Sequence, residues 1–83
     1  MTGRTARFAV FGFGGTHEAL RAEEILLESD LDVVLIPTPR ALGSLCGFAV
    51  RVPASGRDRA WGVLAAADLA PHGEIEIEDR TGR

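Results

Sequence analysis

The chain holds one cysteine, Cys46, in a run that also contains Pro37, Pro39, Arg40, Ser44 and Gly47. A cysteine reacts as its thiolate, and a nearby arginine or helix N-terminus lowers the pH at which that anion forms. Arg40 belongs to the same stretch, and Gly47 leaves room beside the sulfur for a second molecule. Such a thiol can hold a persulfide, enter a mixed disulfide or contribute to a metal site. The plain alternative is a small buried hydrophobe, the usual role of a free cysteine. The flanking prolines, glycines and Ser44 argue for a loop instead.

Other residues stand close enough in type to assist. Thr16 and His17 follow Gly12-Phe13-Gly14-Gly15 at a helix start, where a histidine can orient or deprotonate a thiol. A solvated helix-start histidine fits equally well. Arg40 can pair with an anion or with a partner's carboxylate. His72 sits in Pro71-His72-Gly73 and reads as a turn residue. The glycine run after a strand suggests phosphate binding, but it fits neither the dinucleotide pattern nor the P-loop, and the chain has no lysine. It reads as a tight turn. On a helical wheel Glu23 falls within the arc of Ala19, Leu20, Ala22, Leu26 and Leu27, so an arginine partner is expected for it. Trp61 reads as core. One cysteine and two histidines are too few to suggest a metal centre, and no catalytic triad follows from spacing alone.

These residues need elements to position them. Arg7 to Phe13 reads as a buried strand. Gly15 or Thr16 caps a helix running to about Ser29, with Glu18 in its first turn. Asp30 to Asp32 turns the chain. Val33 to Ile36 is a second strand, ended by Pro37 and Pro39. Arg40 to Cys46 is a loop with room for one helical turn. Gly47 to Val52 is a third strand. Ser55 and Asp58 resemble a capping box for a second helix reaching about Leu69, with Ala60, Trp61, Leu64, Ala65 and Leu69 on one face. Glu74 to Glu78 alternates acid and isoleucine and reads as an edge strand.

The order β-α-β-β-α-β predicts an α+β, ferredoxin-like domain over residues 1–83: an antiparallel four-stranded sheet with two helices on one face. In that topology the connections 14–17, 37–47 and 70–73 share one edge, which brings His17, Cys46 and His72 to the same end. The other face of the sheet is left uncovered. The first two strands are apolar on both faces, Val33 and Leu35 against Val34 and Ile36, so the open face carries apolar surface that a homodimer or an enzyme partner could cover.

Eighty-three residues make one domain with a modest core. A net charge of −3, with every basic residue an arginine, argues against nucleic-acid binding. The apolar runs are too short to span a membrane and the first residues lack a signal-peptide pattern. A lone cysteine suits a reducing compartment, so a cytoplasmic location is expected.

Thr16-His17-Glu18-Ala19-Leu20-Arg21-Ala22-Glu23 forms one motif, and Leu35-Ile36-Pro37-Thr38-Pro39-Arg40 followed by Ser44-Leu45-Cys46-Gly47 forms another. With these two motifs the chain resembles the DUF3343 family of selenium/sulfur carrier-like proteins, from about Arg7 to Ile77. The resemblance implies a small ferredoxin-like domain, a functional cysteine at Cys46 and a link to sulfur or selenium trafficking. Donor and acceptor proteins would be its partners, and no cofactor is required. The expected role is therefore that of a carrier rather than an independent enzyme. The alternative is a non-catalytic binding or small-ligand-sensing module.

Overall fold

The computed structural model describes residues 5–43 and 47–80. Its elements are β1 (Thr5–Gly12), α1 (Thr16–Glu28), β2 (Val34–Pro37), β3 (Phe48–Pro53), α2 (Arg57–Ala66) and β4 (Gly73–Arg80), with 3₁₀ turns at Arg40–Leu42 and Ala54–Gly56. The strands form one antiparallel sheet in the order β2-β3-β1-β4. Each helical crossover therefore skips one strand: β3 lies between β1 and β2, and β1 lies between β3 and β4. This is the split β-α-β arrangement expected from the element order. No helix among the described residues is long and apolar enough to cross a membrane.

The two-residue period of the strands decides what reaches the core. Ala9 and Phe11 of β1 and Val50 and Val52 of β3 turn one way, toward Ala19, Ala22 and Leu26 of α1 and Ala60 and Leu64 of α2. Phe13, Leu31 and Val33 close the ends of this cluster. The helix positions nearest the sheet are largely alanine, which lets the backbones approach closely.

The opposite face is apolar, as expected, but it is not bare. Phe8, Val10 and Ala49 point away from the helices by register, and all three are buried. Arg51 of β3 spreads its guanidinium 4.1 Å over the Phe8 ring and donates from Nη1 to Asp79 Oδ2 at 3.0 Å. Its Nε is buried with no partner among the described residues. Val34, on the edge strand, stays 40% exposed.

Both helices end in the same way. The Asp30 and Leu31 N–H groups donate back to the Leu27 and Leu26 carbonyls, and the Asp68 and Leu69 N–H groups donate back to those of Ala65 and Leu64. These are Schellman ends, in which the residue after the cap is left-handed. That residue is aspartate each time, with φ of 63° at Asp30 and 60° at Asp68. The sequence Leu-x-x-x-Asp-Leu thus occurs once per half of the fold, at 26–31 and 64–69. Because an L side chain is strained there, Asp30→Gly and Asp68→Gly are each expected to raise stability by about 0.5–1 kcal/mol in urea melts.

Other local expectations shift. The Ser55–Asp58 capping box does not form. Gly56 is the N-cap of α2 without a side-chain bond, and the Asp58 carboxylate instead accepts from Arg57 Nη1 at 2.9 Å. α2 stops at Ala66 because Ala67 to Leu69 build its terminator, and Ala65 is exposed. Leu20 and Leu27 of α1 are 45% and 52% exposed, so they flank the core rather than enter it.

Candidate functional site

The end of β1, the end of β2 and the start of β4 meet at one edge of the sheet, where Gly12 pairs with both Ala49 and Gly73, and Pro37 pairs with Phe48. The three connections predicted to share an edge do so. The His72 N–H donates to the Gly12 carbonyl at 2.9 Å, and the His72 ring lies over Gly14. A Cβ on Gly14 would stand 2.8 Å from His72 Cε1, so the missing side chain makes room for the imidazole. The Gly14 N–H donates to Glu18 Oε1 at 3.1 Å, tying the turn to the first turn of α1. Gly15 is the extended N-cap, and Thr16 and His17 follow it, both exposed.

The β2–β3 connection has a closed neck. The Thr38 N–H donates to the Gly47 carbonyl at 3.1 Å, one step beyond the Pro37–Phe48 pair. Pro39 enters the 3₁₀ turn, where Leu42 donates to Pro39 O at 3.0 Å and Gly43 to Arg40 O at 2.9 Å. Gly43 has φ of 77° and ψ of −151°, a conformation that suits glycine. This turn packs against β4, the far edge strand, so the connection crosses the ends of both central strands. Arg40 is exposed and makes no ion pair among the described residues. Gly47 is exposed, with open space where a Cβ would be. Ser44 and Cys46 lie outside the described residues.

The predicted residues thus fall into separate groups. Pro37, Pro39, Arg40 and Gly47 belong to the crossing connection, while Thr16 and His17 open α1 on the helical side. The His72 ring lies against Gly14. Glu23 lies two turns into α1, half-buried, and the expected arginine partner is not found among the described residues. No group of three His, Cys, Asp or Glu among the described residues is placed to hold a metal ion.

One polar cluster was not foreseen. Arg57 grips Glu74 with two bonds, Nε to Oε2 at 2.6 Å and Nη2 to Oε1 at 2.8 Å, and the Trp61 indole N–H donates to Glu74 Oε1 at 3.1 Å. Trp61 is therefore only partly a core residue: its ring meets Phe11 edge-on at 6.4 Å while its nitrogen serves the carboxylate. Arg57 and Glu74 wall a cleft of about 140 Å³ shared with Ala9, Ala54 and Glu76. The period-two pattern of β4 already put Glu74 and Glu76 on one face; only the tertiary fold puts Arg57 opposite.

The Arg57 hydrogen bonds hold the Glu74 carboxyl below its ordinary value of 4.5, reinforced by the Trp61 bond and opposed by partial burial. A carboxyl depressed by folding stabilises the native state above its unfolded pKa, and that contribution fades as the pH falls through the folded one. Stability should therefore drop below about pH 4.5, and Glu74→Gln should remove part of that slope. At neutral pH the same change should cost about 1–2 kcal/mol in urea melts.

The family model described as "putative Se/S carrier protein-like" matches residues 8–76. That span takes in both helices, the crossing connection with Cys46 and all but the outer ends of β1 and β4. No curated protein and no solved structure matches the chain. With most of its length and its whole α+β core covered, the chain belongs to the Se/S carrier protein-like family.

Proposed function

We propose that the protein carries sulfur or selenium as a terminal atom on Cys46 and hands it on by thiol exchange. The observation that carries this reading is the family match, whose bounds, residues 8–76, enclose the segment from Pro37 to Gly47. Three local features support it. The bond between Thr38 and Gly47 joins the two ends of the connection to which Cys46 belongs in sequence. Arg40, exposed and unpaired among the described residues, brings a positive charge to that segment. Gly47 leaves open space next to the cysteine in the chain.

The exchange balances without an external oxidant. The Cys46 thiolate attacks the terminal sulfur of a donor persulfide. A new S–S bond forms at Cys46, the donor's own S–S bond breaks, and the donor leaves as a thiolate that takes up a proton. An acceptor thiolate repeats the step and regenerates Cys46. A terminal selenium atom follows the same course. Intact-mass spectrometry after incubation with a cysteine desulfurase and cysteine is the test. The expected product is one sulfur atom heavier and returns to the original mass with dithiothreitol. An unchanged mass, with alkylation proving Cys46 free and reduced, would overturn the proposal.

A further inference from the structure

Thr16, Leu20, Glu23 and Leu27 follow one another at intervals of four, three and four residues. That spacing is the a/d seam of a coiled coil, the stripe by which one helix packs along another. It is separate from the stripe α1 uses inward, formed by Ala19, Ala22 and Leu26. α1 packs on β2 and β3 with α2 beside it, and Arg59 of α2 reaches the Ser29 carbonyl at 2.5 Å. A right-handed helix of this direction turns the Leu20–Leu27 flank away from α2, over the β2 edge. Leu20 and Leu27 are about half exposed, about 10.5 Å apart along the axis. Phe48, on the same side of the sheet, is 42% exposed as well. Apolar side chains at seam spacing, exposed beside an uncovered edge strand, form a surface without its cover.

Charge decides what covers it. Glu23 stands in the middle of the seam, half-buried and with no ion pair among the described residues. α1 also carries Glu18, Glu24 and Glu28 against the single Arg21. A second copy laid antiparallel along this seam would bring Glu23 against a leucine or beside another glutamate, and the two acidic helices would repel. We propose that the α1 flank at the β2 edge docks a basic amphipathic helix of a different protein, whose leucine-type residues meet Leu20 and Leu27 and whose arginine or lysine pairs with Glu23. A polar residue within a seam is a known means of fixing partner and register. The proposal concerns binding alone and stands whether or not Cys46 carries sulfur.

The test is a titration of the isotope-labelled full chain, followed by NMR, with two synthetic helical peptides. Both have leucine at heptad spacing; one carries arginine at the remaining positions of that face and the other glutamate. The arginine peptide should shift the amides of Leu20, Glu23, Leu27 and Phe48, and the glutamate peptide should not. Glu23→Lys should weaken the arginine peptide by about tenfold or more. Glu24→Lys, an identical change in net charge off the seam, should weaken it by less than about twofold. Equal losses in the two variants would reduce the effect to diffuse charge and overturn the proposal. So would shifts centred elsewhere, no binding of the arginine peptide, or a dimer of the chain closed through this seam in sedimentation.

Discussion

Cys46→Ser should abolish sulfur loading outright, with no adduct in intact-mass spectra under conditions that load the native chain fully. The serine keeps the size of the side chain and loses the soft, easily ionised nucleophile, which no other residue of the chain can replace, since Cys46 is its only cysteine. The fold should survive, because the neck of the connection is closed by backbone groups of Thr38 and Gly47 and the 3₁₀ turn by those of Pro39, Arg40, Leu42 and Gly43. A thermal melt within a few degrees of the native one would establish that the loss is chemical. Arg40→Ala is the graded companion. On the proposed reading Arg40 favours the thiolate form of Cys46, so its removal should slow loading at neutral pH, with recovery in more alkaline buffer. A variant loading at the native rate across that range would separate Arg40 from the thiol's activation. Retained loading in Cys46→Ser would refute the assignment of the carrier thiol.

Phe11→Ala should cost about 3–5 kcal/mol, the usual loss for a fully buried aromatic truncated in place. Phe11 lies at the middle of the sheet on its helical face, fully enclosed, with the Trp61 ring edge-on at 6.4 Å and an interplanar angle of 76°. Neither neighbouring strand can move in to fill the gap, since β1 is hydrogen-bonded on both sides. A domain of this size holds about 4–12 kcal/mol in total, so the variant should be close to unfolding at room temperature. Urea titration followed by far-UV circular dichroism measures the loss. Trp61 fluorescence, from the only tryptophan of the chain, should change its emission in the folded variant because it loses the aromatic neighbour. A loss below about 1 kcal/mol would mean that the core can repack around Phe11.

The topology was legible because its punctuation is local. Gly14-Gly15, Asp30 to Asp32, Pro37 and Pro39, and Pro71-His72-Gly73 each end an element by backbone chemistry that does not depend on the rest of the fold. The order of those elements leaves few ways to build one sheet, and the shared edge of the three connections followed. What stayed hidden depends on distant partners. Leu20 and Leu27 belong to the same wheel arc as Ala19 and Leu26, and only the placement of α1 over β2 and β3 separates flank from core. The Arg57–Glu74–Trp61 cluster joins residues of α2 to one of β4. The capping box does not form because Ser55 lies within the 3₁₀ turn Ala54–Gly56 and Gly56 takes the N-cap position. The burial of Val10 and Ala49 could not be read from strand alternation, which says which face a side chain takes but not what lies over that face. Of the candidate site, the motif was visible in the sequence. That the His72 ring packs against Gly14 needed the geometry.

The pairing of Thr5 with Arg80 has a bearing on how such a domain can be joined to others. Opposite residues in an antiparallel ladder have Cα atoms about 4.5–5.5 Å apart, and this pair closes β1 and β4 at the edge away from the crossing connection. The first and last strands therefore end side by side at that edge. Insertion of the Thr5–Arg80 unit into a surface loop of a host protein, or a permutation that joins these strand ends and opens the chain at Ser55, should leave the strand order and the opposite edge intact.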